Sequence, residues 1–231
     1  MNMKILITGS SGFLGSELVN QLSSKHEIIK YDLANNQDIL NFEQLKESMK
    51  SCDIVVHIAA IRGPYQGKDF SDYFKINCQG TFNVAQACLE CGVKKLIYLS
   101  STSYYGFEEV SYNLPLSEKN SILTQIQGEL KCDNSCISYS TSKVIAEQIL
   151  ANYGLTKKLQ TIILRLGPIG PNREEIWKLD GVSLNIDNAI KAIELSIETE
   201  KELWYETFTI TDDVPNSDIS KAKKILNYKP N

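Results

Sequence analysis

A chain of 231 residues can bury one substantial core, and 24 basic against 28 acidic residues leave a net charge of −4 with no basic stripe, which argues against nucleic acid as a partner. No apolar run approaches the length of a membrane span, and the first residues run straight into a strand pattern, so neither membrane attachment nor a secretory leader is expected and the location should be cytoplasmic. The six cysteines read as reduced, mostly buried thiols; the pairs Cys88/Cys91 and Cys132/Cys136 are not taken for a metal site, because the first pair sits on a helix ending at Gly92 and the second has a looser spacing.

In chain order, Lys4-Ile5-Leu6-Ile7 predicts a strand, followed by Gly9, Gly12 and Gly15 in a G-x-x-G-x-x-G turn and then by helix-forming sequence. Glycine at these places allows a tight turn at Gly9, close approach of a ligand at Gly12 and helix-on-sheet packing at Gly15. Free N–H groups and the positive end of the helix dipole suit a pyrophosphate, although a turn between a strand and a helix also favours glycine for its own sake. Glu27 to Asp32 predicts a second strand ending in a carboxylate about 20 residues further on, where an acid accepts hydrogen bonds from ribose hydroxyls and repels a 2′-phosphate. That favours NAD over NADP; the plainer reading of Asp32 is a solvated acid at a strand end.

A helix is expected around Phe42–Lys50, then a buried strand over Asp53 to Ile58 that ends in the small residues Ala59 and Ala60. His57, inside that strand, reads as a packed core histidine rather than a catalytic one. A long helix from about Phe70 to Cys91 stops at Gly92, and Lys95 to Ser100 is the next strand. Residues Phe107 to Ser138 are polar and poorly periodic, as in a loop or lid beside a site. Tyr139 to Tyr153 is helical and Thr161 to Leu166 a buried strand broken off by Gly167-Pro168-Ile169-Gly170-Pro171. Asn185 to Thr199 reads as an amphipathic helix, Phe208 to Ile210 as a strand and Ser217 to Asn227 as a last helix. This alternation predicts an α/β, Rossmann-type doubly wound parallel sheet with helices on both faces, residues 1–171 binding a dinucleotide and residues 172–231 forming a small C-terminal substrate lobe.

Tyr139 and Lys143 lie four apart on one helix face, so an ammonium could lower the pKa of a phenol and make it a general base. Such a pair also occurs by chance on surface helices. Ser101 or Thr102, at the end of the fourth strand, could hydrogen-bond the same substrate hydroxyl. With Thr8-Gly9-x-x-Gly12-x-x-Gly15, Asp32, His57-Ile58-Ala59-Ala60, Asn77-x-x-Gly80-Thr81-x-Asn83, Ser100-Ser101 through Tyr105-Gly106 and Tyr139-Ser140-Thr141-Ser142-Lys143 in this order, the chain resembles the extended short-chain dehydrogenase/reductase family, in its NAD-dependent epimerase/dehydratase branch, over about Met1 to Pro171.

The resemblance implies roles residue by residue. Backbone at Gly12, Phe13 and Leu14 would hold the pyrophosphate, Asp32 the adenosine ribose, and Asp38 with Ile39 the adenine. Ala59, Ala60 and Asn77 would line the cofactor channel, Lys143 would bind the nicotinamide ribose, and Pro168 would lie near the carboxamide. Tyr139 resembles the family's base, and counting back from Tyr105-Gly106 favours Ser101 over Thr102 as its partner.

Departures narrow the function. Thr102 and Ser103 stand where the family's dehydratases carry an Asp-Glu pair, which disfavours sugar dehydration, and Arg165 lies one residue nearer to Gly170-Pro171 than in the usual pattern. The short stretch after Pro171 looks more like compact members that oxidise free sugar acids. The expectation is an NAD-dependent enzyme oxidising a carbinol of a sugar or nucleotide sugar, epimerase-type, with a small-sugar or uronate-type dehydrogenase as the alternative and a non-enzymatic NAD sensor as a third reading. A homodimer is implied by analogy, through the helices Phe70–Cys91 and Tyr139–Tyr153.

Overall fold

The computed structural model describes residues 2–63, 68–106, 114–123 and 134–231. Six parallel strands form the sheet in the order β2-β1-β3-β4-β5-β8: β1 (Lys4–Thr8), β2 (Glu27–Tyr31), β3 (Ile54–His57), β4 (Lys95–Ser101), β5 (Gln160–Leu166) and β8 (Tyr205–Ile210). The order reverses between β1 and β3, so a crevice opens at the carboxyl ends of those two strands, where ligands of doubly wound sheets sit.

Alternating side chains feed two cores. Ile5, Ile7, Val56, Ile97 and Leu99 face α1 (Phe13–Leu22), α6 (Ile186–Glu198) and α7 (Ser220–Leu226). Leu6, Val55, Leu96, Tyr98 and Ile163 face α2 (Phe42–Met49), α4 (Gly80–Glu90) and α5 (Asn134–Leu155). Both faces are covered, which is why β1, β3 and β5 are nearly continuous apolar runs. Each such aliphatic side chain stabilises the fold by about 1.5–3 kcal/mol on burial. Residues 172–231 complete the sheet through β8, in parallel register with β5 from Thr161↔Tyr205 to Leu166↔Ile210.

Several elements depart from the sequence reading. The single helix expected over Phe70–Cys91 is α3 (Phe70–Tyr73), a π turn over Phe74–Gln79 and then α4, and no Gly or Pro within the turn announces it. It ends as expected, with Gly92 at φ 71°. The helix expected from Tyr139 begins already at Asn134, because the apolar spacing becomes visible only from Val144. Within the stretch expected to be a loop, residues 114–123 dock on the C-terminal part: Leu116 is fully buried and bridges Ser217 in parallel. Residues 107–113 and 124–133, including Cys132, lie outside the described residues. The two-residue strands β6 (Lys178–Leu179) and β7 (Val182–Ser183) are too short to read from sequence, β8 starts three residues earlier than expected, and α7 is shorter at both ends.

Candidate active site

The turn after β1 is built by glycine in two different ways. Gly9 takes φ 70°, and a Cβ there would stand 2.7 Å from Ala59 N; a Cβ on Gly15 would stand 2.1 Å from the Gly9 carbonyl oxygen. Gly12 is exposed, and its Cβ would meet nothing closer than the Gly9 oxygen at 3.4 Å, so the missing side chain leaves open space over the helix end. Gly12 caps α1 without a side-chain bond, so the first-turn N–H groups of Phe13 and Leu14 have no side-chain cap. Beside them the Ser10 hydroxyl is buried with no partner among the described residues. An open glycine cradle, uncapped N–H groups and an orphaned hydroxyl fit a pyrophosphate.

Asp32 sits at the rim of this turn. One carboxylate oxygen accepts the Ser11 N–H at 2.9 Å and the other accepts the Ala34 N–H at 2.9 Å, which fixes the group at the end of β2 where a ribose would lie. Asp38 accepts the Leu40 N–H, and its carbonyl accepts the Tyr31 hydroxyl at 2.8 Å. Ile39 is buried below, its Cδ1 occupying the space that a Cβ on Gly80 would need. Ala59, Ala60 and Pro168 are half-buried. Asn77 is enclosed: its oxygen accepts the Ile61 N–H at 2.8 Å, and its amide donates to the Ile61 carbonyl and to Ser142 Oγ, both at 2.9 Å. It therefore fastens the loop after β3 to α5.

Tyr139 and Lys143 do share a face of α5. The Lys143 Nζ lies 5.7 Å from the centre of the Tyr139 ring and 4.9 Å from that of Tyr98, and it donates to the Leu99 carbonyl at 2.9 Å. Leu99 is two residues before Ser101, so the lysine joins the helix of the phenol to the strand of the serine. Burial pushes the Lys143 ammonium down to about 8, against the opposing carboxylate of Glu147. Ser101 is half-buried, whereas Thr102 is fully buried. The Ser101 hydroxyl donates to Ser103 Oγ at 3.0 Å and accepts the Ser103 N–H at 3.1 Å, capping a 3-10 turn over Thr102–Tyr105.

One group escaped the sequence reading as a unit. Glu147, fully buried, receives Arg165 Nε at 3.0 Å, Arg165 Nη2 at 2.7 Å and the Ser100 hydroxyl at 2.6 Å. Arg165 also donates to the Tyr105 hydroxyl at 2.9 Å and stacks 3.6 Å from the centre of the Tyr104 ring. With its guanidinium so committed, Arg165 acts behind the site and holds the 3-10 turn that follows Ser101. The spacing of Glu147 from Lys143, one helical turn, was the available signal.

Of the expected thiols, Cys88 is fully buried against Met49, and Cys52, Cys78, Cys88 and Cys91 form no disulfide among the described residues. Among the described residues no group of three or more His, Cys, Asp or Glu side chains could hold a metal ion, and no helix is long and apolar enough to cross a membrane.

Comparison with known proteins gives the family and the fold. Residues 5–212 match the NAD dependent epimerase/dehydratase family. A protein described as an uncharacterized UDP-glucose epimerase, YtcB of Bacillus subtilis (strain 168), is 31% identical over 295 aligned positions that take in 99% of this chain and 93% of that one. A dTDP-D-glucose 4,6-dehydratase of Dictyostelium discoideum is 27% identical, covering 97% of this chain, which spans only 62% of the dehydratase's length. Other curated relatives are spanned for 28% to 66% of their length. The same fold is found in UDP-glucuronic acid 4-epimerase from Bacillus cereus in complex with NAD, at a TM-score of 0.78 and 24% identity, over 99% of this chain and 94% of that one. The chain belongs to the NAD dependent epimerase/dehydratase family, and its cofactor is NAD.

Proposed function

We propose that the protein oxidises a carbinol of a sugar or nucleotide sugar as an epimerase-type enzyme. The observation that carries this reading is the placement of Lys143, which sits beside the Tyr139 ring and is hydrogen-bonded to the strand that ends in Ser101. NAD, when bound, supplies the hydride acceptor. Tyr139, as phenolate, takes the proton of the substrate hydroxyl; the Lys143 ammonium steadies the phenolate and binds the nicotinamide ribose. Ser101 orients that hydroxyl and donates to the carbonyl oxygen as it develops. Gly12, Phe13 and Leu14 hold the pyrophosphate and Asp32 the adenosine ribose, while Asp38, Ile39, Ala59, Ala60 and Pro168 form the walls of the cofactor site. Asn77 braces one wall. The 3-10 turn Thr102–Tyr105 offers no carboxylate beside Ser101, which favours epimerisation over dehydration.

A second reading, an NAD-dependent dehydrogenase of a small sugar or sugar acid, is favoured by the slight substrate lobe. Between β5 and α6 stands only a pair of two-residue strands, and the alignment with YtcB runs to 295 positions against 231 residues here. The two readings separate on one experiment: incubation of the protein and NAD with free sugars, sugar acids and nucleotide sugars, following nicotinamide absorbance and chromatographing products. An isomeric product without net NADH supports the epimerase; stoichiometric NADH supports the dehydrogenase; loss of either activity in Tyr139→Phe with NAD still bound assigns the base. Exposed Phe70, Phe74 and Phe82 on the α3–α4 segment support a homodimer paired through that face, tested by sedimentation. The thiols Cys52, Cys78, Cys88 and Cys91 support a reducing, cytoplasmic location.

A further inference from the structure

Five buried residues connect the dinucleotide turn to the helix of the base, Thr8, His57, Thr81, Asn77 and Ser142, each no more than 1% exposed, with the main-chain carbonyl of Asn77 as the link to Thr81. The direction of every bond is fixed by backbone groups along the chain. Thr8 Oγ1 accepts the N–H groups of Ile58 and Ala59, both at 3.2 Å, so its own proton is free to point at His57 Nδ1, 2.8 Å away. Thr81 donates to the Asn77 carbonyl at 2.6 Å, which can only accept; the 3.1 Å bond between Thr81 Oγ1 and His57 Nε2 must then take its proton from the ring. Asn77 is oriented by the Ile61 N–H on its oxygen, so its amide nitrogen faces Ser142 Oγ, and Ser142 donates to the Tyr139 carbonyl at 2.6 Å. A branch runs toward the other proposed catalytic side chain: the Tyr98 ring lies 5.5 Å from the His57 ring, and its hydroxyl accepts from the Lys143 Nζ at 3.4 Å.

We propose that His57 is a positioning residue of this enzyme, held neutral as its Nε2–H tautomer so that one ring ties the glycine turn and the Ala59 strand end to the helix segment bearing Tyr139 and Lys143. Both nitrogens of a buried imidazole need polar partners, and here the partners come from β1 and α4, so satisfying the ring also joins those two elements. Burial, with the Lys143 charge nearby, pushes the imidazole down to about 3, in keeping with a ring that stays neutral across the working range.

The chain has two histidines, His26 and His57, which makes the test direct. In the full-length protein labelled with 15N-histidine, with and without NAD, a long-range correlation spectrum separates protonated from bare ring nitrogens, and His26→Gln identifies the remaining signal as His57. The expected result is a protonated Nε2 and a bare Nδ1 in both states; an Nδ1–H ring or a mixture of tautomers overturns the proposal. Thr81→Val should mix the tautomers and raise the NAD dissociation constant about tenfold, the loss of one buried hydrogen bond, while Thr81→Ser retains both properties. Wild-type affinity for NAD in folded Thr81→Val overturns the positioning role. If Thr81→Val does not fold, the wild-type spectrum and Thr81→Ser decide, since a mixed-tautomer ring in either one refutes the locked chain. No substrate enters these measurements, so their failure is separate from failure of the epimerase reading.

Discussion

Arg165 grips Glu147 through Nε and Nη2 at 3.0 and 2.7 Å, inside the protein and one helical turn from Lys143. The pair lies between β5 and α5 and extends to Ser100, Tyr104 and Tyr105, so the residues around Ser101 are braced by charge as well as by packing. Breaking such a pair from one side is costly, because the surviving ion stays buried without its partner. Arg165→Met should therefore destabilise the fold by about 3–5 kcal/mol, and Arg165→Met with Glu147→Leu by much less than the sum of the single changes. Urea unfolding of the two single variants and the double variant measures this; additive losses would show that the two side chains do not act as a pair.

With Lys143 in its proposed role, its lowered pKa should set the alkaline side of the rate profile. The ammonium is the form that steadies a phenolate, and its fraction falls as pH rises through about 8, well below the ordinary lysine value. Turnover should decline above that pH. The Glu147 carboxylate opposes the effect of burial, so Glu147→Gln should move the decline to lower pH, provided the assay is run below its unfolding temperature. A pH series of kcat for both proteins is the check, and an alkaline limb that stays in place in Glu147→Gln would separate it from Lys143.

In the proposed cofactor site Asp32 would discriminate through its carboxylate, whose two oxygens are oriented by the N–H groups of Ser11 and Ala34. Asp32→Ala removes the acceptor for the ribose hydroxyls and the charge that repels a 2′-phosphate. NAD affinity should fall about tenfold while NADP affinity holds or rises, so the preference between them narrows. Titration of both dinucleotides measures the ratio; an unchanged ratio would place cofactor selection elsewhere.

How far the site was legible follows from the range of its interactions. The glycine turn, Asp32 and the pair Tyr139/Lys143 are local patterns, each set by spacing along one or two elements, and the strand alternation needed only period and burial. The hydrogen-bond chain through His57 was not legible, because Thr8, His57 and Thr81 come from different elements and meet only when β1 and β3 pair and α4 crosses them. His57 was read as a core residue, and it is buried; what burial alone concealed is that both its nitrogens are engaged. The π turn at Phe74–Gln79 and the docking of Leu116 beside Ser217 also depend on tertiary partners rather than on the residues themselves.

Gly12 and Gly15 separate binding from folding at the same turn. An alanine at Gly15 would bring Cβ to 2.1 Å from the Gly9 carbonyl oxygen and 3.0 Å from Ser10 Cα, both rigid backbone, so Gly15→Ala must displace α1 from the sheet or distort the turn. Its cost should appear as lost stability, on the order of 1–3 kcal/mol for an overpacked site. An alanine at Gly12 meets only the Gly9 oxygen at 3.4 Å, and the helix start there tolerates a side chain, its φ of −70° being ordinary. Gly12→Ala should therefore fold with nearly unchanged stability and still bind NAD poorly, because the added methyl occupies the space where the pyrophosphate approaches the helix end. Thermal unfolding without NAD and NAD titration, performed on both variants, give opposite patterns if the turn is a binding cradle: stability lost in Gly15→Ala, affinity lost alone in Gly12→Ala. A Gly12→Ala protein that binds NAD like the parent would mean that the pyrophosphate is held by some other part of the chain.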